Sequence, residues 1–112
     1  MKTIAIPLYG GKLIVAANQA EFDRAYDRLL AQLGQTPAGE TFMLSPAGLT
    51  TSAVVADKLV VLSGMFIKHG GARCHEAVHC AQAVAEAVGM NPLREQEAFA
   101  YLTQWFYEEL AP

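Results

Sequence analysis

No run of basic residues occurs anywhere in this chain. Its 8 Lys and Arg are outnumbered by 11 Asp and Glu, for a net charge of -3, which argues against a nucleic-acid or anionic-membrane partner. Long apolar runs are also missing: nothing approaches the ~20 residues of a membrane span. The opening stretch Met1–Pro7 is too short an apolar segment, broken by Pro7, to act as a signal peptide, so a cytoplasmic location is expected. Cysteine is scarce. Cys74 and Cys80 stand six positions apart, roughly 240 degrees around a helix, and so diverge too far to bridge each other; both are expected as reduced thiols.

What the chain does contain is apolar: 53% hydrophobic residues against 17% charged, the balance of a compact globular domain. At 112 residues it is one domain, 1–112, too short for a two-lobed protease body. Two apolar, partly β-branched runs, Thr3–Leu8 and Lys12–Ala17, flank Tyr9-Gly10-Gly11 and predict a β-hairpin. Asn18 can cap a helix carrying Phe22, Tyr26, Leu29, Leu30 and Leu33 at helical spacing, which Gly34 ends. Gln35–Glu40 reads as a loop and Thr41–Leu44 as a short strand. Leu49–Val55 and Lys58–Leu62 then read as strands around a turn at Ala56-Asp57. Connections this short predict an antiparallel sheet. A helix follows over 72–88, with Ala77, Ala81, Val84, Ala85 and Val88 as its buried stripe. After Gly89, a last helix is expected from Pro92 to Leu110, capped by Asn91.

One stretch carries chemistry: Cys74-His75-Glu76-Ala77-Val78-His79-Cys80. Residues four apart on a helix lie one turn from each other, so His75 and His79 can aim two imidazoles at one metal ion. With Glu76 between them this is HExxH, the pattern in which histidines hold zinc and the glutamate is general base toward a metal-activated water. Periodicity places both histidines, with Gln82 and Glu86, opposite the apolar stripe, so the motif is expected to face away from the sheet.

A catalytic zinc commonly takes three protein ligands. The long metzincin pattern is excluded, because Gln82 and Ala85 occupy the positions its glycine and histidine would need. No histidine follows His79 and no aspartate follows Asp57, leaving glutamates. Glu86 lies ~10 Å up the same helix, a poor reach, and Glu108 and Glu109 lie at the chain's end. Glu95 and Glu97 remain, pointing apart on the last helix; periodicity alone slightly favours Glu95, which shares the Phe99, Leu102 and Phe106 stripe, and leaves the choice open. Cys74 and Cys80 flank the histidines on diverging sides, so the four side chains cannot converge on one ion.

His75-Glu76-Ala77-Val78-His79, followed by Glu97-Ala98-Phe99-Ala100-Tyr101-Leu102, resembles the gluzincin class of zinc metallopeptidases over roughly residues 60 to 107. It also looks like small phage and prophage proteins bearing HExxH. The resemblance implies zinc held by His75, His79 and Glu97, with Glu76 as general base. Tyr101 stands where the class often has aspartate. Tyr101, His69 and Arg73 are candidate donors to the oxyanion, and a strand edge beside the motif helix, that of Lys58–Leu62, could hold an extended peptide.

The expected architecture is therefore α+β: a small antiparallel sheet, one N-terminal helix, and two C-terminal helices carrying a zincin-like metal site. The expected function is zinc-dependent peptide hydrolysis. A non-catalytic zinc-binding or host-protein-binding module of phage or mobile-element origin is the main alternative, and hydrolysis of a non-peptide amide a third.

Overall fold

The computed structural model describes residues 1–36, 47–66 and 70–111. The expected strand Thr41–Leu44, most of the loop before it and His69 lie outside these residues. Seven elements follow in order: β1 (Lys2–Ala5), β2 (Lys12–Ala16), α1 (Gln19–Gln32), β3 (Gly48–Val55), β4 (Lys58–Met65), α2 (Gly70–Val88) and α3 (Gln96–Glu109).

The four strands form one sheet in the order β1-β2-β4-β3. Both predicted hairpins are present and antiparallel: Ile4 lies opposite Leu13, and Ser52 opposite Val61. The turn at Ala56-Asp57 has φ of 50° and 65°, the paired positive angles that let a two-residue loop follow the twist of its strands. The class is α+β as expected, but the sheet is mixed rather than wholly antiparallel. β2 and β4 pair in parallel, with Leu13 opposite Val61 and Ile14 opposite Leu62. The strands of each hairpin are joined too tightly for parallel pairing, but β2 and β4 are not consecutive. The segment joining β2 to β4 contains α1 and β3, which is ample for a parallel crossover.

That central pair is covered on both faces, which is why its residues read as unbroken apolar runs rather than as alternation. On one face Leu13 and Val61 pack with Ala77, Cys80, Ala81 and Val84 of α2 and Leu102 and Phe106 of α3. On the other, Ala16 and Leu62 pack with Phe22 and Ala25 of α1. At the N-terminus of α1, Asn18 accepts from the Glu21 N–H at 2.9 Å and Glu21 Oε1 accepts from the Ala17 N–H at 2.9 Å, so two orphan donors are satisfied reciprocally. The Ala17 N–H is the chief reason the Glu21 carboxyl sits below its ordinary range.

α2 and α3 run antiparallel, the start of one meeting the end of the other where Arg73 Nε donates to the Tyr107 carbonyl at 2.6 Å. The last helix begins at Gln96, not Pro92. Asn91 Oδ1 takes the Leu93 N–H at 2.9 Å, and the Asn91 carbonyl takes those of Arg94 and Glu95. Asn91 thus closes a turn over 92–94 instead of capping the helix, because its short side chain offers those N–H groups a local partner.

Candidate metal centre

α2 splits its motif between two environments. His75 and His79 are exposed, whereas Glu76 is only 5% exposed. A helix turns ~100 degrees per residue, so the glutamate cannot share the histidines' face. The expectation that the whole motif faces away from the sheet therefore holds for the histidines and fails for Glu76, which turns toward β3.

The two imidazoles converge. Their Nε2 atoms stand 3.1 Å apart, with ring centroids separated by 4.6 Å and planes at 78°. Two imidazole nitrogens meeting at one point suit zinc, whose sites favour nitrogen and sulfur donors. Among the described residues, no group of three or more His, Cys, Asp or Glu is placed to hold a metal ion. The structure therefore gathers His75 and His79 and does not bring Glu97 or Glu95 to them. Glu97 is exposed on the first turn of α3, and Glu95 Oε2 accepts from the Asn91 N–H at 2.8 Å.

Glu76 is held by the sheet. Thr50 Oγ1 donates to Glu76 Oε1 at 2.7 Å, a short contact of the kind a carboxylate accepts from a hydroxyl. Thr50 Oγ1 in turn lies 2.8 Å from Ser63 Oγ, and Ser63 Oγ donates to the Leu49 carbonyl at 3.2 Å. Ser63 is fully buried in β4, so these bonds keep a polar group in the core from being left unpaired. Sequence reading passed over Thr50 and Ser63. The available signal was a serine directly after Val60-Val61-Leu62, since a polar residue inside a buried strand requires a partner.

A groove of about 590 Å³ opens between α2 and the beginning of β3, lined by Gly48, Leu49 and Thr50 on one side and by Ala72, His75, Glu76 and His79 on the other. Glycine at 48 is a condition for it: a Cβ there would sit 2.9 Å from Glu76 Cγ and 2.8 Å from the Gly64 carbonyl oxygen. β3 is at one edge of this sheet, with β1 at the other, and among the described residues it pairs with β4 alone. The strand edge beside the motif is therefore that of β3. Lys58–Leu62, the edge expected from sequence, lies in β4 between two neighbours.

The proposed oxyanion donors fare differently. Tyr101 is 68% exposed and does not line the groove. The Arg73 guanidinium lies 3.8 Å over the Tyr107 ring, in addition to its bond to that residue's carbonyl. The cysteines stay apart from the histidines as expected: Cys74 is exposed and Cys80 fully buried. Burial pushes the Cys80 thiol up to about 12, opposed by the neighbouring Ser63 and Thr50 hydroxyls and reinforced by the Glu76 charge; it is a packing residue, not a thiolate ligand. No helix among the described residues is long and apolar enough to cross a membrane.

No family model matches the chain, and neither the curated proteins nor the solved structures yield a significant match.

Proposed function

We propose that this chain is a zinc-dependent hydrolase of peptide bonds, acting on a peptide or protein substrate. The observation that carries the proposal is the convergence of His75 and His79 Nε2, 3.1 Å apart, in a groove that also holds Glu76 and runs beside β3, which among the described residues pairs with β4 alone. His75 and His79 would hold zinc, with Glu97 as the third ligand that the gluzincin resemblance implies. Bound there, zinc supplies Lewis-acid activation of a water and of the scissile carbonyl. Glu76 takes the proton of the attacking water and returns it to the leaving amine. An extended peptide would lie along β3 by backbone pairing, a recognition mode an unpaired strand edge offers. As an oxyanion donor Tyr101 is proposed by proximity in the chain alone. The two free cysteines suit a reducing compartment such as the cytoplasm.

A second reading, a non-catalytic zinc-binding or host-protein-binding module of phage or mobile-element origin, is favoured by one observation: no third ligand stands with the histidine pair among the described residues. The deciding experiment compares wild type with Glu76→Gln after metal analysis of protein purified without added metal. Glutamine keeps an oxygen that accepts from Thr50, so the variant should fold and keep its zinc. Cleavage of a peptide library should fall by about 100-fold or more, the usual scale for removing a general base. Zinc in both with equal cleavage, or with none in either, would move the assignment to the binding module. Absence of zinc from wild type would remove both readings.

A further inference from the structure

We infer that Thr50 is a positioning residue for Glu76: it tethers one carboxylate oxygen to the sheet so that the other is presented in the groove that holds His75 and His79. This rests on the hydrolytic reading of the same groove and adds to it a residue on β3, outside the HExxH motif.

The tether is visible as geometry. Oε1 of Glu76 receives the Thr50 hydroxyl at 2.7 Å. Oε2 accepts no hydrogen bond from the described residues, although Glu76 lines the groove. A carboxylate bound at one oxygen only is oriented and still has a lone pair for a water. Free in solution, a glutamate side chain would sample many rotamers, and holding it in one removes that entropy in advance of the reaction.

Thr50 is itself well placed to do this. Threonine is branched at Cβ and therefore stiff about χ1. Its hydroxyl lies 2.8 Å from that of Ser63, which is fully buried and anchored to the Leu49 carbonyl. Since the Thr50 proton is committed to Glu76, the Ser63 proton is free for Thr50 Oγ1 or for Leu49, and the chain of hydroxyls carries no surplus donor. Gly48 completes the seat two residues along the same strand, letting the Glu76 stem approach the backbone where a Cβ would leave only 2.9 Å. A helix that crossed β3 at any greater distance would leave the Thr50 hydroxyl out of reach.

The test uses Thr50→Val, which keeps the shape and removes the hydroxyl, and Thr50→Ser, which returns it. Each is prepared as the full chain with δ-carbon-labelled glutamate, and the Glu76 carboxyl resonance is identified by its loss in Glu76→Gln. In Thr50→Val this resonance should move and in Thr50→Ser it should return toward the wild-type position, with or without added zinc. Zinc stoichiometry should be the same in all three. Turnover of the peptide library should fall about 10- to 100-fold in kcat for Thr50→Val, the scale of a misplaced catalytic group, with KM within about twofold. Thr50→Ser should recover most of it. An unmoved resonance in Thr50→Val would overturn the inference, as would unchanged kcat beside an inactive Glu76→Gln. If wild type cleaves nothing, peptide hydrolysis fails by itself, and the resonance alone decides whether Thr50 holds Glu76. Should Thr50→Val not fold, Thr50→Ala is read in the same way.

Discussion

Glu76 and Glu97 stand on neighbouring antiparallel helices, and packing treats them in opposite ways. The first is 5% exposed and takes a hydroxyl from the sheet at 2.7 Å; the second is exposed on the opening turn of α3. The difference lies in what each helix meets. A Cβ at residue 48 would meet the Gly64 carbonyl oxygen of β4 at 2.8 Å and Glu76 Cγ of α2 at 2.9 Å, so glycine there lets the Glu76 side chain seat against the sheet. The first turn of α3 follows the 92–94 turn, and residues 91–97 are all exposed. Glu76 is therefore positioned by the fold, whereas Glu97, to serve as the proposed third ligand, would have to be brought in.

This contrast can be broken by mutation. Glu76→Ala leaves the Thr50 hydroxyl beneath α2 without its acceptor and should lower unfolding free energy by roughly 2 kcal/mol, whereas Glu97→Ala, at an exposed position, should stay within about 0.5 kcal/mol. Urea titration of both variants checks this, and equal losses would erase the distinction. Zinc affinity sharpens it from the other side. If Glu97 completes the site on metal binding, Glu97→Ala weakens zinc at least tenfold, about 1.4 kcal/mol, while Glu95→Ala leaves it unchanged. Competition against a chromophoric chelator measures both; unaltered affinity in Glu97→Ala would leave two histidines as the protein's ligands. Glu95→Ala has its own, smaller effect: loss of the Asn91 N–H contact should cost about 0.5–1 kcal/mol of stability.

The smallest effect concerns Glu21, a half-buried carboxylate at the start of α1 with a fixed partner. Its ionised form is favoured in the folded state, chiefly by the Ala17 N–H, so its folded pKa lies below 4.5. A lowered pKa contributes stability above the unfolded value and loses it as pH falls through the folded one. The melting temperature of wild type should therefore slightly exceed that of Glu21→Gln at neutral pH, and the gap should close below pH 4.5. A gap that widened on acidification would contradict the assignment.

Much of this molecule was legible one residue at a time. The Asn18 cap, the two hairpins, the α2 stripe of Ala77, Ala81, Val84 and Ala85, and the shared face of His75 and His79 all follow from local chemistry or from a single helix's period. Those interactions span at most a few residues, so spacing alone determines them. Val88 departs from the stripe, at 45% exposed, because it lies at the end of α2, beyond the sheet's cover.

Tertiary structure decided the rest. The parallel pairing of β2 with β4 depends on a crossover whose length sequence shows but whose destination it does not. That pairing encloses Lys58–Leu62 between two neighbours and leaves β3, among the described residues, paired with β4 alone beside the groove. Glu76 turned to the sheet where Gly48 leaves room for its stem, and Thr50 and Ser63 acquired their roles only when β3 and β4 came into register with α2 across them. His75 and His79 needed one helix to meet; a third ligand needs two helices held at the right offset, which no periodicity encodes.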